Sequence, residues 1–224
     1  MTWVKICGIT NLEDALVAVE AGADALGFVL YEKSPRRIDT DQVRRIVSKV
    51  PEKIERVGVV VNETEQRICE IADQAELTAV QMHGDNEDPH VADLVVSRRP
   101  LKVLAAISML RPSPDAWAMM WEQRNVYAFL VDAGTSMQLG GTGRRFDWSA
   151  SARVLDTIES LGRLVLAGGL NPLNIAEAMR VTHPWGVDVS SGVESHPGKK
   201  DPEKVRAFIK AVREADKANS EKAI

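Results

Sequence analysis

The sequence predicts an α/β fold, a single-domain (β/α)8 TIM barrel that spans residues 1–224 and ends in a polar tail, near 214–224, that is expected to fray. Short runs rich in β-branched residues recur eight times, and each is followed by an amphipathic stretch that opens on a capping residue. Eight units in 224 residues leave about 28 residues for each, enough for one strand, one helix and two short loops. A chain of this length also suits one sizeable core, since α/β barrels commonly exceed about 200 residues as one domain. Periodicity does not report closure, so a doubly wound open sheet remains the alternative.

The bounds of the predicted strands come from these runs, and the predicted helix ends come from the residues between them. The predicted strands are residues 4–7, 25–30, 56–61, 79–83, 102–107, 127–132, 164–167 and 187–190. Helix starts are predicted at Thr10 and Asn62, which have the spacing of a capping box, and at Asn171 and Asp201, which precede proline. Gly22 is a suitable helix stop before the second strand.

Composition excludes several functional classes. The 28 basic and 32 acidic side chains give a net charge of −4, so the molecule as a whole does not attract nucleic acid or an anionic membrane. No run approaches the ~20 apolar residues that span a bilayer and no signal sequence is evident, so we expect a cytoplasmic protein. The 2 cysteines have no CxxC neighbour, which predicts reduced thiols. Residues 83–90 combine histidines with carboxylates, but turn-forming composition and helix capping explain them better than a metal site does.

Polar side chains fall at the carboxyl ends of several predicted strands. Because side chains alternate along a strand, Lys5 and Cys7 share the face opposite the apolar Val4 and Ile6, which should point to the helices. The same count places further polar groups on the inward face: Gln81, His83, Asp132, Asp188 and Ser190. Ionisable groups at the catalytic end of a barrel are costly to desolvate unless they serve a ligand or pair with one another. Lys5 can either raise the thiolate fraction of Cys7 or neutralise Asp188, and the sequence leaves both open.

Two glycine-rich segments, residues 168–172 and 190–194, follow the last two predicted strands. Loops at these positions form a recurrent phosphate site in (β/α)8 barrels, because glycine lets backbone N–H groups approach the ligand closely. A third glycine-rich loop, residues 140–143, can close over the same ligand. The predicted phosphate-binding residues are Gly143, Gly168, Gly169, Ser191 and Gly192.

A cationic loop, residues 33–37, follows the second strand. Its composition suits an ordinary solvated loop as well as it suits a guanidinium that holds a carboxylate in bidentate fashion. With phosphate on the other side of the barrel mouth, such a group would fix an elongated anionic small-molecule substrate.

Several segments, in order along the chain, resemble the phosphoribosylanthranilate isomerases of tryptophan biosynthesis. They are residues 5–10, 22–28, 33–36, 80–84, 141–143, 146–148, 168–172 and 187–194, and the resemblance runs from residue 3 to 210. It implies a barrel enzyme that converts N-(5-phosphoribosyl)anthranilate to 1-(2-carboxyphenylamino)-1-deoxy-D-ribulose 5-phosphate by an acid/base Amadori rearrangement, without cofactor or metal.

The same resemblance implies roles for individual residues. By position, Cys7 corresponds to the general base and Asp132 to the general acid, while Arg36 corresponds to the residue that holds the anthranilate carboxylate. The predicted substrate-binding residues are Arg36, Gln81, His83 and Asp188. Two positions depart from the family pattern, which usually has an aromatic residue at Arg37 and leucine at Met82.

Two other functions remain alternatives. A related phosphate-sugar barrel enzyme, such as indole-3-glycerol phosphate synthase or an aminoimidazole-carboxamide isomerase, would share the phosphate loops but not the pairing of Cys7 with Asp132. A non-catalytic barrel that binds an anionic metabolite would share the loops and show no turnover. The sequence does not distinguish a monomer from a homodimer.

Overall fold

The structure, a computed structural model, describes residues 1–84, 88–110, 112–122, 124–132 and 148–222. Within this part of the chain, eight parallel strands pair in chain order, and β1 pairs with β8 to close a barrel. The strands are β1 (Trp3–Cys7), β2 (Ala25–Val29), β3 (Glu55–Val61), β4 (Ala79–His83), β5 (Lys102–Ser108), β6 (Ala128–Asp132), β7 (Leu164–Ala167) and β8 (Gly186–Val189). The prediction of a (β/α)8 barrel is confirmed, and closure excludes the open sheet.

Helices alternate with these strands around the outside of the barrel. They are α1 (Leu12–Ala21), α2 (Thr40–Val47), α3 (Glu65–Gln74), α4 (His90–Arg98), α5 (Pro114–Met120), α6 (Trp148–Leu161), α7 (Ile175–Thr182) and α8 (Pro202–Lys222). A turn of 3-10 helix (Ser191–Val193) and a short antiparallel hairpin, β9 (Glu194–His196) with β10 (Lys199–Lys200), lie between β8 and α8. None of the described helices combines the length and the apolarity that crossing a bilayer requires.

Two of the predicted helix boundaries are confirmed. Asp201 caps α8, because its Oδ1 accepts hydrogen bonds from the backbone N–H groups of Glu203 and Lys204. Gly22 ends α1 in the left-handed region, with φ of 100°, where a glycine has no steric penalty.

Three predicted helix starts are wrong, because each of these helices begins after a residue further along the chain than the one predicted. Asn11 rather than Thr10 caps α1, since the Thr10 hydroxyl instead donates to the carbonyl of Gly198. Thr64 caps α3, and Asn62 has a φ of 52°, outside the extended region that an N-cap adopts. The helix predicted from Asn171 begins later, at Ile175, after a turn in which Asn171 Oδ1 accepts from the N–H of Leu173.

Within the described residues, α8 continues to Lys222, through most of the segment that the sequence predicts to fray. The Asp216 carboxylate accepts hydrogen bonds from the backbone N–H and the hydroxyl of Thr2, at 3.0 and 2.6 Å. These hydrogen bonds hold the later turns of α8 against the start of the chain.

The core has two layers, as alternation along the strands requires. Val4 and Ile6 are fully buried in the outer layer between the sheet and the helices. The inner layer is formed by small and branched side chains inside the barrel: Ala25, Val57, Ala79, Leu104, Ala106, Ala128, Leu130, Val165 and Ala167. Lys5 and Cys7 belong to the inward face, as predicted, so the polar groups of the site rest on a rigid, packed barrel.

Candidate active site

One cavity at the carboxyl ends of the strands collects most of the predicted polar residues. It is lined by Cys7, Val29, Tyr31, Ser34, Arg36, Val59, Val61, Gln81, His83, Asp132, Asp188 and Ser190. Cys7 on β1 and Asp132 at the end of β6 therefore border a shared space. All four predicted substrate-binding residues lie in the same lining.

Cys7 occupies a place that a glycine on the neighbouring strand keeps open. The thiol is a free cysteine with only 7% of the residue exposed. Gly27 on β2 is its register partner, and a Cβ at Gly27 would lie 2.7 Å from the Cys7 Sγ. Burial raises the pKa of the Cys7 thiol above its ordinary value. The nearby cations Lys5 and Lys200 oppose that rise, because a positive charge favours the thiolate.

Lys5 is fully buried and has two polar partners inside the barrel. Its Nζ donates to Asp188 Oδ1 and to Gln81 Oε1, both at 2.8 Å. The pairing follows from strand register, because Lys5 on β1 stands directly beside Asp188 on β8. Although burial alone would lower it, the pKa of Lys5 is raised by the negative charges around it, chiefly Asp188. Lys5 is therefore paired with Asp188, and its charge also opposes the rise that burial causes in the pKa of Cys7.

Arg36 is held by a carboxylate that the sequence analysis did not assign. Its Nε donates to Glu194 Oε1 at 2.9 Å and its Nη2 donates to Oε2 at 2.7 Å, a bidentate pair. Lys200 Nζ donates to the same Oε1 at 2.9 Å. The Arg36 side chain passes close to the β1–α1 loop, where a Cβ at Gly8 would lie 2.7 Å from its Cδ. Because Gly8 also has a φ of 77°, only glycine suits that position.

The two glycine-rich loops after β7 and β8 touch each other. A Cβ at Gly192 would overlap the carbonyl oxygen of Leu170, so the loops approach backbone to backbone. Gly168 and Gly169 both have positive φ, 81° and 66°. Among the described groups, no hydrogen bond uses the N–H of Gly169, Ser191 or Gly192. Amides left uncommitted at the barrel mouth suit an anion. Gly143, the fifth predicted phosphate-binding residue, lies outside the described residues.

Comparisons with known proteins place the chain in a family. The sequence model of the N-(5'phosphoribosyl)anthranilate (PRA) isomerases matches residues 4–211. The chain belongs to this family. It is 46% identical over 214 residues to the N-(5'-phosphoribosyl)anthranilate isomerase of Pelobacter propionicus, covering 96% of this chain and 97% of that one. The Thermotoga maritima isomerase is 44% identical over 210 residues, covering 94% and 98%.

Solved structures of PRA isomerases have the same fold. The crystal structure of the T. maritima enzyme superposes with a TM-score of 0.86 at 42% identity, covering 96% of this chain and all of that one. Another is a complex with reduced 1-(o-carboxyphenylamino)-1-deoxyribulose 5-phosphate, with a TM-score of 0.82, 41% identity and coverage of 96% and 100%. As a member of this family, the protein is an enzyme of tryptophan biosynthesis that isomerises N-(5'-phosphoribosyl)anthranilate.

In this PRA isomerase, sequence reasoning assigned no role to three polar residues at the site. Glu194 and Lys200 are paired partners on β9 and β10, and strands of three and two residues are too short to show a periodic signal. Ser190 lines the cavity, and its hydroxyl is buried without a hydrogen-bond partner in the described part of the chain. Alternation along β8 placed Ser190 on the inward face, so that signal was present but was not used.

Proposed function

We propose that the isomerisation is carried out by Cys7 as general base and Asp132 as general acid. The observation that carries this proposal is that both residues line the same cavity at the carboxyl ends of the strands. Among the described residues, no group of three or more histidine, cysteine or acidic side chains suits a metal ion. The reaction as proposed consists of proton transfers and the bond rearrangements that accompany them.

The first step is ring opening. Asp132, as a carboxylic acid, gives its proton to the ring oxygen of the ribose, and the bond from that oxygen to C1′ breaks. The anthranilate nitrogen supplies its electron pair to C1′, which leaves a protonated Schiff base. An acid placed to protonate the leaving oxygen is needed because an alkoxide is a poor leaving group.

The second step is proton removal from C2′. The Cys7 thiolate takes that proton, and the electron pair of the C–H bond forms the C1′–C2′ double bond while the iminium nitrogen is neutralised, giving an enolamine. Transfer of a proton from the 2′-hydroxyl to C1′ then gives the amino ketose. Lys5 and Lys200 assist this step because their charges favour the thiolate against the effect of burial. A positioned acid or base contributes typically ~10²- to 10⁴-fold each.

Three groups of residues would hold the substrate in register for these steps. Arg36 binds the anthranilate carboxylate at one end of the cavity, and the amides of Gly168, Gly169, Ser191 and Gly192, with the loop of Gly143, hold the phosphate. Gln81, His83 and Asp188, which line the cavity together with Arg36, would contact the ribose. Lys5 fixes two of them, since it binds both Gln81 and Asp188. Holding the substrate by its carboxylate and its phosphate would orient C1′ and C2′ towards Cys7 and Asp132.

The cellular setting is also part of the proposal. We expect a cytoplasmic enzyme that needs neither metal nor cofactor and binds no nucleic acid. Its state is a monomer or a homodimer; one similar solved structure is described as generated monomers of the dimeric T. maritima isomerase.

The test is an activity assay with paired variants. The purified protein should consume phosphoribosylanthranilate, followed by loss of its fluorescence, and should rescue a tryptophan auxotroph that lacks this step. Cys7→Ala and Asp132→Asn should each lower kcat by at least ~10²-fold with the fold intact. Cys69→Ala on α3 and Asp156→Asn on the exposed side of α6 are the matched controls and should retain full turnover.

Two results would count against the proposal. Near-normal turnover in Cys7→Ala or Asp132→Asn would remove that residue from the mechanism. Thermal stabilisation of the wild-type protein by the substrate without any turnover would instead favour a non-catalytic barrel that binds an anionic metabolite.

A further inference from the structure

The Glu194 carboxylate joins two buried cations next to the cavity. Its oxygens accept from Arg36 Nε and Nη2 at 2.9 and 2.7 Å and from Lys200 Nζ at 2.9 Å. The side chains of Arg36, Glu194 and Lys200 are 7%, 4% and 0% exposed. Charged groups this far from water are costly, and buried ion pairs are weak sources of stability, so this cluster is a candidate for a role other than stability.

The hairpin that carries Glu194 is held firmly from several sides. Lys200 donates its backbone N–H to Asp14 on α1 at 2.8 Å and its ammonium to the carbonyl of Ser190 at 3.2 Å. Lys204 on α8 donates to the backbone carbonyl of Glu194 at 2.9 Å. The carboxylate is therefore a fixed anchor rather than a mobile surface group, and Arg36, which projects from the β2–α2 loop, is fixed by it.

The geometry leaves Arg36 partly uncommitted towards the cavity. A guanidinium has five N–H groups, and Glu194 uses two of them. Among the described residues, no hydrogen bond uses Nη1, and Arg36 belongs to the cavity lining together with Cys7. When Lys200 is protonated, the two cations and one carboxylate carry one net positive charge. One further carboxylate would neutralise this charge.

We infer that Glu194, supported by Lys200, is a positioning residue that holds the Arg36 guanidinium by one edge and presents its remaining N–H groups to the carboxylate of the substrate. This inference rests on the role of Arg36 in the proposed function. Lys200 has a defined part in it: by neutralising Glu194, it leaves the charge of Arg36 available to the ligand. The bidentate fork also fixes the plane of the guanidinium, which sets where the bound aromatic ring lies.

The test compares two ligands that differ only in the carboxylate. One is reduced 1-(o-carboxyphenylamino)-1-deoxyribulose 5-phosphate, and the other is the same compound with an unsubstituted phenyl ring. Glu194→Gln should weaken the first ligand about 10- to 100-fold by calorimetry and change the second by less than about 3-fold. In turnover, KM should rise while kcat at saturating substrate stays within about 3-fold. Glu203→Gln, which removes a carboxylate from an exposed pair with Arg206 on α8, is the matched control.

A double-variant measurement separates positioning from general damage. In Arg36→Met, the preference of the wild type for the carboxylate ligand should be lost. Adding Glu194→Gln to that variant should then change the affinity for neither of the two ligands. Equal weakening of both ligands by Glu194→Gln, or no weakening of either, would overturn the inference. If Glu194→Gln does not fold, Lys200→Met serves in its place and should weaken the carboxylate ligand alone by several fold.

The outcomes also distinguish this inference from the proposed function. A wild-type protein that does not isomerise phosphoribosylanthranilate contradicts the proposed function, whatever the ligands show. An Arg36→Met variant that keeps its preference for the carboxylate ligand removes Arg36 from carboxylate binding, and the inference fails with it. An active wild type with an Arg36-dependent preference that Glu194→Gln leaves intact contradicts the inference alone.

Discussion

Replacing Gly27 by alanine tests whether the position of the Cys7 sulfur matters. A Cβ at Gly27 would lie 2.7 Å from Cys7 Sγ and 3.0 Å from both Cys7 Cα and Lys5 Cε. Carbon atoms that touch are about 3.5–4.0 Å apart, and sulfur is no smaller, so the sulfur must move by ~1 Å. The close approach to the Cys7 main chain adds strain that side-chain movement cannot relieve, because that main chain is part of the barrel wall.

The expected loss is specific and large. A displacement of ~1 Å in a reacting group costs about 10²-fold in rate, which corresponds to about 2.7 kcal/mol of barrier. Crowding a packed position costs about 1–3 kcal/mol of folding free energy, which a stable barrel tolerates. Gly27→Ala should therefore be folded, somewhat less stable and about a hundredfold slower in kcat.

The measurement is kcat at saturating phosphoribosylanthranilate together with the free energy of unfolding in urea. Gly162→Ala is the control, since Gly162 has no positive φ and a Cβ there meets only the Phe129 ring edge at 3.3 Å. It should keep full turnover. A folded Gly27→Ala protein with wild-type kcat would refute the reasoning, because it would show that the sulfur need not occupy its present place.

Three further predictions concern ionisation and buried polar groups. Burial raises the pKa of Cys7 by more than the charges of Lys5 and Lys200 lower it. If the Cys7 thiolate is the base, kcat/KM should therefore still be rising with pH between about 7 and 9. A plateau below about pH 8 would contradict this. Ser190→Ala removes a buried hydroxyl without a partner among the described residues. Its free energy of unfolding should therefore stay within about 1 kcal/mol of the wild-type value, while the reduced product analogue should bind more weakly. Unchanged binding would place the hydroxyl outside the site. Burial acts to raise the pKa of Glu194, but hydrogen bonds from Arg36 and Lys200 outweigh it and hold that pKa below the ordinary 4.5. The unfolded chain therefore binds more protons than the folded one, so the stabilisation by Glu194 is present above pH 4.5 and is lost as the pH falls through the folded pKa. Urea titrations should show that the free energy of unfolding falls less steeply with acid in Glu194→Gln than in wild type.

The strands and their inward faces were predictable because alternation is a local property. Each observed strand begins and ends within one residue of its predicted bounds, and the division between Val4 with Ile6 and Lys5 with Cys7 followed from parity alone. The helix caps were less predictable, since neighbouring residues compete for the same role. Thr10 had the right spacing, but its hydroxyl is used by Gly198, a hydrogen bond across 188 residues of sequence that no local pattern reports.

The support of the site was not predictable for the same reason. The resemblance to PRA isomerases indicated Arg36, but its bidentate partner lies 158 residues further along the chain. The partner stands at the first position of a three-residue strand, so it has no periodicity of its own. Sequence patterns identify groups that face a ligand more readily than groups that hold them, because facing a ligand follows from strand parity and holding depends on tertiary structure.

The charges around Cys7 show why the site needs paired rather than free cations. Lys5 and Lys200 both favour the thiolate, yet each also donates to a carboxylate, Asp188 or Glu194. Unpaired buried cations would ionise Cys7 more fully, but each would bear an uncompensated desolvation cost and would attract the substrate carboxylate or phosphate to the wrong end of the cavity. With these cations paired, we expect anions to be attracted to the remaining N–H groups of Arg36 and to the glycine-rich loops. If Cys7 is the base and Arg36 binds the substrate carboxylate, as proposed, the arrangement combines a base of raised pKa with a substrate that is held in one orientation.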